Sequence, residues 1–337
     1  MHDSNQKDIV VSVMQSRLLK FNIHLIFFIL LAIIFIGCLC VGNQYISPLQ
    51  SMLGLIDQAN FKTNFIIGEL RFPRVLAAVV IGSTLALSGC LIQLVARNKL
   101  ANPEYLGITD GAIFALMIFI VTSATAQLGP WWVAPFGAIL TSVTLLLLTG
   151  RSDKSGYKFI MLGIGVSALI RALNDLMLAT TDLQHASAIF LWSLGSLNAV
   201  EFKQLWGIGI TLIAITPVLF FLQKKLPMLN FHTDTARSLG VSTNLLQFIL
   251  YFIALMLASF SVSVAGPIAF LALIAPIIAT GIIKPPAIAL VLSMLIGAII
   301  LLIADTIART VLPNEIPAGI MTTLIGGPLL LFILLKK

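Results

Sequence analysis

The chain has 337 residues, of which 59% are hydrophobic and only 10% are charged, and its mean hydropathy is +1.05. Soluble domains are about one quarter charged, so this composition excludes a soluble enzyme or a separate soluble module. Apolar runs of about 20 residues, the length that crosses a bilayer as a helix, recur along the whole chain. They predict an all-α integral membrane protein with a single transmembrane domain over residues 1–337.

The formal net charge of +7 does not indicate nucleic-acid binding, because the Lys and Arg residues are scattered between apolar runs. With the N-terminus inside, fourteen of them fall on the cytoplasmic side and five on the outside, while one lies within a span. Cytoplasmic loops of membrane proteins are enriched in Lys and Arg, so this orientation is favoured. An even number of spans then places both termini in the cytoplasm.

Ten candidate spans follow one another along the chain. They lie near 21–41, 73–96, 105–124, 131–150, 157–178, 202–222, 244–264, 268–283, 286–308 and 317–335. The third and the eighth are the least regular, because prolines and glycines interrupt them at Pro103, Gly107, Pro267 and Pro276. Broken helices often line the substrate pathways of transporters.

Arginines stand at the predicted outer ends of two spans. Arg71 and Arg74 flank Pro73, which predicts the start of the second span. Arg309 follows Asp305 by one helical turn near the end of the ninth. One interpretation is that these arginines anchor helix ends, with Asp305 and Arg309 forming an i,i+4 pair. The other is docking of an acidic partner, since arginine outside opposes the positive-inside preference.

Two opposite charges, Arg171 and Asp175, share the same i,i+4 spacing inside the fifth span. A charge at the centre of a membrane helix costs about 2.5–3.5 kcal/mol on insertion scales, so it usually faces a partner or a water-filled cavity. The two residues either neutralise each other and fix helix packing, or form a polar lining of a translocation path.

The longest polar interruption between spans covers residues 223–244 and contains FHTDTARSLGV. This string predicts a short helix that Thr233 or Asp234 caps and that Gly240 ends in a left-handed conformation. The helix is either an ordinary surface element or a cytoplasmic contact through which a soluble motor transmits force.

Motifs of catalysis are missing from the sequence. It has no G-x-x-x-x-G-K-[ST] loop for ATP, no His, Cys and carboxylate cluster at metal-ligand spacing, and no G-x-S-x-G elbow. We therefore expect no enzymatic activity, no bound metal and no cofactor. An ion-coupled secondary transporter is the alternative class, but it needs carboxylates within the membrane that bind the ion. Only the pair of Arg171 and Asp175 approaches this, and a carboxylate paired with arginine is a poor site for a coupling ion.

Taken together, the strings between the spans resemble the FecCD/cobalamin-type permease family of ATP-binding cassette importers. They occur in the family's order over nearly the whole chain, and the ordered set is highly specific. The strings are RFPR (71–74), LALSG (85–89), RNKLANP (97–103), LG (106–107), WSLGSL (192–197), ARSLGV (236–241), AGPIAFLALIAP (265–276), LLIADTIAR (301–309) and EIPAGIMTTLIGGP (315–328).

The resemblance implies a ten-helix permease subunit in the bacterial cytoplasmic (inner) membrane. Its implied partners are a second permease, identical or unlike, two P-loop ATPase subunits and an extracytoplasmic substrate-binding protein. The implied cargo is a ferric siderophore, with cobalamin or haem as alternatives.

The resemblance also implies roles for individual residues. Arg71, Arg74 and Arg309 match arginines that meet carboxylates of the binding protein. The loop near 226–243 matches the ATPase contact, with Ala236, Arg237, Ser238, Leu239, Gly240 and Val241 as the coupling helix. A cytoplasmic gate loop matches Ser152, Asp153, Lys154, Ser155, Gly156 and Tyr157.

The chain departs from the family pattern after Pro276. The family usually has a His directly after this proline and an Arg three residues later, whereas this sequence has Ile277 and Thr280. The function of those two residues is therefore absent or supplied by the second permease, which favours a pair of unlike permeases.

Overall fold

The computed structural model describes residues 2–42, 44–54, 64–123, 130–150, 156–198, 200–231, 233–284, 289–311 and 315–335, and within these ranges it contains helices and no strand. The α-helices in chain order are α1 (His2–Cys40), α2 (Pro48–Leu53), α3 (Phe72–Ala96), α4 (Ile108–Ser123), α5 (Val133–Thr149), α6 (Gly156–Thr180), α7 (Leu183–Ser193), α8 (Phe202–Leu222), α9 (Thr233–Ser238), α10 (Thr243–Ala265), α11 (Leu271–Ile282), α12 (Leu290–Thr310) and α13 (Ala318–Leu335).

Apolar helices occupy all ten predicted spans, which confirms the predicted fold class. By length and composition, six of them can cross a membrane: Phe21–Cys40, Phe65–Ala96, Tyr157–Thr180, Phe202–Leu222, Thr243–Ala265 and Leu290–Thr310. Four are shorter: Ile108–Ser123, Val133–Thr149, Leu271–Ile282 and Ala318–Ile333.

The second span begins earlier than the sequence predicts. Residues Phe65–Arg71 form a π-helix that runs directly into α3, so Pro73 lies inside a helical segment of 32 residues. The prediction that Pro73 lies in the first turn of an α-helix is confirmed, since α3 begins at Phe72 and proline has no N–H to donate. The π-helix extends the apolar segment before this point, so that the segment starts at Phe65.

Helix α3 forms the centre of the bundle, where it packs against α10, α11 and α12. Of its most apolar 18-residue stretch, 83% is buried. Two glycines allow this close approach: a Cβ at Gly82 would lie 2.7 Å from the carbonyl oxygen of Gly297, and one at Gly89 would overlap the backbone of Ala272. Small residues at such contacts let transmembrane helices pack tightly, and this packing is a main source of their association.

The third and eighth spans are irregular, as predicted. The third opens with a 3₁₀ turn, Pro103–Leu106, and Gly107 follows it with a φ of +78°. Helix α11 begins after Phe270, whose φ of +63° is unusual for a residue with a side chain, and the helix contains Pro276. These two breaks lie close together in the bundle. The carboxylate of Glu104, in the first break, accepts a hydrogen bond from the backbone N–H of Phe270, in the second.

Candidate functional site

The three arginines predicted to meet a partner lie together at one end of the bundle. Arg71, Arg74 and Arg309 line a cavity of about 440 Å³, and two acidic residues, Glu69 and Glu315, line the same cavity. We call these five residues, with the buried Asp305, the arginine cluster. It combines two residues from the π-helix with the first turn of α3, the last two turns of α12 and the segment before α13.

Arg74 binds two carboxylates at once. Its Nε donates to both oxygens of Asp305, at 3.0 and 3.1 Å, and its Nη1 donates to Oε2 of Glu315 at 2.9 Å. The two acids differ in exposure, since the side chain of Asp305 is 2% exposed and that of Glu315 is 46% exposed. The sequence predicted neither pairing.

Arg309 shares Asp305 with Arg74. Its Nε lies 4.0 Å from Oδ2 of Asp305, which confirms the predicted i,i+4 pair, and its Nη2 donates to the backbone carbonyl of Cys38. The Nε atom itself has no hydrogen-bond partner within the described part of the chain. One buried carboxylate therefore balances two guanidinium groups.

Arg71 is bound entirely differently. Its Nη1 donates to the carbonyl oxygens of Leu39 and Cys40, at 2.8 and 3.1 Å, and its Nη2 donates to that of Gln44 at 2.6 Å. These carbonyls lie at and just after the C-terminal end of α1, where backbone acceptors lack helical partners. A Cβ at Gly42 would lie 2.6 Å from this guanidinium, so the turn leaves room for the arginine. Arg71 thus ties α1 to the start of the second span.

The buried partner of Arg171 is Asp110, not Asp175. Nε of Arg171 lies 3.3 Å from Oδ1 of Asp110. The hydroxyl of Ser167 donates to the same carboxylate, and Nδ2 of Asn174 donates to the Asp110 backbone carbonyl at 3.0 Å. The interpretation of Arg171 and Asp175 as a self-neutralising pair is therefore wrong. The side chain of Arg171 instead reaches from α6 to Asp110 on α4. A carboxylate in an otherwise apolar run was the available signal for Asp110.

Arg171 and Asp175 both line a second cavity, of about 350 Å³, together with Glu104, Tyr105 and Ser167. The side chain of Arg171 is 67% exposed, and Asp175 is exposed as well. Charged groups do not face hydrocarbon without a polar environment. This face of α6 therefore suits an aqueous path or a partner subunit better than lipid.

Glu104, in the connection between the second and third spans, has a side-chain carboxyl group with a raised pKa. Burial raises its pKa to about 7, although hydrogen bonds from Asn102 and from the Phe270 N–H act in the opposite direction. Nδ2 of Asn102 lies 3.0 Å from the carboxylate. The group is therefore only partly ionised at neutral pH.

This raised pKa predicts a pH-dependent stability. Between the ordinary pKa of 4.5 and about 7 the folded chain binds more protons than the unfolded chain, so the free energy of unfolding should fall as the pH rises through this window. Glu104→Gln removes the titration, and the variant should gain stability relative to the native chain as the pH rises. Thermal unfolding in detergent between about pH 5 and pH 8 measures the difference, and equal pH slopes for the two proteins would contradict the assignment.

The short helix predicted between the sixth and seventh spans is present at the opposite end of the bundle. Helix α9 is followed by Gly240 with a φ of +77°, and the N–H of Val241 donates to the Ala236 carbonyl at 3.0 Å, which confirms the predicted left-handed stop. Ala236 and Val241 are buried, whereas Ser238 and Leu239 are exposed. For Arg237 the structure describes the backbone alone.

Arg97 connects this region to the central helix. It ends α3 in a left-handed conformation with a φ of 51°. Its Nη2 donates to the carbonyl oxygens of Leu229 and Phe231, which directly precede α9.

The gate loop lies mostly outside the described residues, which exclude Ser152, Asp153, Lys154 and Ser155. Gly156 and Tyr157 form the first residues of α6, and Tyr157 is exposed. At the end of α11, the hydroxyl of Thr280 donates to the Ile277 carbonyl at 3.2 Å within the same helix.

Comparison with known proteins gives a consistent result over the whole fold. The family model described as the FecCD transport family matches residues 29–336. The chain is 35% identical to the Fe(3+)-citrate import system permease protein YfmE of Bacillus subtilis, over 94% of this chain and 95% of the relative. It is 31% identical to the ferric enterobactin transport system permease protein FepG of Escherichia coli, over 88% and 90%.

A solved structure is similar as well. It is an inward-facing conformation of a metal-chelate type ABC transporter, with a TM-score of 0.83 and 27% identity, and the match covers 94% of this chain and 99% of that one.

Proposed function

Because this chain belongs to the FecCD transport family, we propose that it is the permease subunit of an ATP-binding cassette importer that moves a ferric siderophore across the cytoplasmic membrane. The observation that carries the proposal is the match over residues 29–336, which includes all ten apolar helices except the start of the first. The chain acts as a transport component, and hydrolysis of ATP takes place in its partners.

The proposed assembly has two permeases, two P-loop ATPases and an extracytoplasmic binding protein. The exposed Leu239, held by the buried Ala236 and Val241, supports α9 as the ATPase contact. The exposed face of α6, with Arg171 and Asp175, supports a path between this chain and the second permease. Both chain termini lie in the cytoplasm in this arrangement, and ATP binding and hydrolysis open the path to one side at a time.

The arginine cluster supports docking of the binding protein at the opposite end. Its cavity is large enough for an acidic side chain, and it is lined by all three predicted docking residues. Arg74 and Arg309 carry the charge for this contact, whereas Arg71 holds the end of α1 beside them.

Siderophores are favoured as cargo over cobalamin or haem, because relatives named for ferric citrate and ferric enterobactin match nearly the full chain. An ion-coupled secondary transporter is disfavoured. The solved structure that this chain resembles is a metal-chelate type ABC transporter, and the buried carboxylate of Asp110 is already paired with Arg171 and Ser167, which makes it a poor site for a coupling ion.

Uptake into proteoliposomes tests the proposal. The chain is purified with its native partners, and uptake of ferric citrate, ferric enterobactin and a ferric hydroxamate labelled with radioactive iron is measured with and without internal ATP. We expect uptake of at least one chelate that requires ATP and is lost when the P-loop lysine of the ATPase is replaced. Uptake that persists without ATP and follows an imposed proton or sodium gradient would refute the importer.

A further inference from the structure

Two carboxylates hold Arg74, and only one of them is able to leave. Asp305 lies on α12 between Arg74 and Arg309, and its departure would leave the nearly buried Arg309 without a carboxylate and Arg74 with Glu315 alone. Glu315 lies outside the helices, in the segment before α13, and nearly half of its side chain is exposed. Water can solvate the Glu315 carboxylate, so its contact with Arg74 is weaker than that of the buried Asp305 and can be exchanged.

The backbone keeps Glu315 beside Arg74 without the help of the ion pair. The N–H of Ile316 donates to the carbonyl oxygen of Ala308 at 3.2 Å, which attaches the segment to the last turn of α12. The side chain of Glu315 can therefore swing away from Arg74 while its backbone stays in place.

A second observation concerns Arg309, which is 8% exposed and lines the cavity. Its buried Nε has no hydrogen-bond partner among the described residues, although a donor of this kind normally finds an acceptor. Arg71, in contrast, already has three carbonyl acceptors. Of the arginines beside Arg74, Arg309 is therefore the one whose hydrogen-bonding capacity is not filled.

The charges of the cluster explain why the exchange matters. Three guanidinium groups stand against the carboxylates of Glu69, Asp305 and Glu315, so their formal charges cancel. An acidic side chain that approaches this cavity meets little net attraction while Glu315 occupies Arg74. When Glu315 withdraws, one positive charge becomes available to the incoming group.

We propose that Glu315 occupies, in the free permease, the place on Arg74 that a carboxylate of the docked binding protein takes over. The inference rests on the proposed docking function. The incoming carboxylate takes the place of Glu315 on Nη1 of Arg74, next to the guanidinium of Arg309, and Glu315 turns toward solvent. Glu315 therefore acts as an internal competitor that keeps the free permease neutral at this end and weakens docking.

Binding kinetics of the assembled transporter test this exchange. The permease–ATPase complex in lipid nanodiscs is titrated with the substrate-binding protein of the same transport system, for the native chain and for Glu315→Gln. We expect the variant to bind about five- to tenfold more tightly at low salt, mainly through faster association, and the gain to shrink as salt rises. Asp182→Asn is the matched control, since it removes an exposed acidic charge that makes no capping hydrogen bond, and it should leave docking unchanged.

The double variant Arg74→Gln/Glu315→Gln separates competition from a general charge effect. In the Arg74→Gln background the second substitution should no longer tighten docking, because the competing contact is already absent. Glu315→Asp, which keeps the charge on a shorter side chain, serves if Glu315→Gln unfolds.

Three outcomes overturn the inference or its premise separately. If Glu315→Gln folds and docks as weakly as the native chain or more weakly, Glu315 is no competitor. If Glu315→Gln tightens docking equally with and without Arg74, the gain does not come from the exchange. If the binding protein does not bind the native complex at all, or binds it equally after Arg309→Gln, the proposed docking site itself is wrong.

Discussion

Replacing Asp305 by asparagine is expected to destabilise the permease by about 3–5 kcal/mol, because it removes the one buried carboxylate that two nearly buried guanidinium groups share and leaves only the half-exposed Glu315 on Arg74. Asp305 is 2% exposed and accepts two hydrogen bonds from Arg74, while Arg309 lies 4.0 Å away. Asparagine has nearly the same shape, so the loss reports charge and not packing. The midpoint of thermal unfolding, followed for the detergent-purified chain, measures the effect.

Glu315→Gln is the informative control for this prediction. It removes the other carboxylate from the same guanidinium, but this carboxylate is nearly half exposed to water, so we expect the pair to contribute only about 1 kcal/mol. Its unfolding midpoint should therefore stay close to the native value. Equal losses for Asp305→Asn and Glu315→Gln would show that exposure does not separate the two contacts.

Gly89→Ala is expected to be the second large effect, although it adds a single methyl group. The new Cβ would overlap the backbone carbonyl of Ala272, and backbone cannot move aside as a flexible side chain can. Overpacking in a well-packed interior costs about 1–3 kcal/mol and more where relaxation is blocked, so the helices α3 and α11 should separate or the chain should fail to fold.

The same substitution at Gly207 provides the control. Gly207 lies in α8, and a Cβ there meets open space. Gly207→Ala should leave the folded yield unchanged or raise it, because alanine favours a helix over glycine by up to about 1 kcal/mol. Size-exclusion profiles and unfolding midpoints of the two variants give the comparison. Similar profiles would mean that the contact between α3 and α11 relaxes easily.

The helices could be predicted from the sequence because the signals for them are local. Each apolar run is long, and a residue that ends a helix, such as Gly240 after α9, lies within a few positions of that end. For the same reason helical spacing alone predicted the pair of Asp305 and Arg309.

The rest of the arginine cluster depends on contacts between distant parts of the chain. Arg74 meets Asp305 across 231 positions and Glu315 across 241, and spacing along one helix carries no information about either. The ion pair of Asp110 could not be predicted, because its partner Arg171 lies on another helix. Asp175 is nearer to Arg171 along the chain, but the two residues do not pair. Local pattern thus predicts the spans, and only packing determines which charges share a site.

The central helix α3 connects the two ends of the bundle directly. Helix α3 has 25 residues, with Arg74 in its first turn and Arg97 at its end. At 1.5 Å per residue this is a rod of about 37 Å, so a tilt of about 5° around one end displaces the other by about 3 Å. Because Arg97 donates to carbonyls just before α9, such a rotation would move the proposed ATPase contact along with the proposed docking cavity. Motion at one end could thus reach the other without a chain of side-chain contacts between them, since both ends are attached to the same helix.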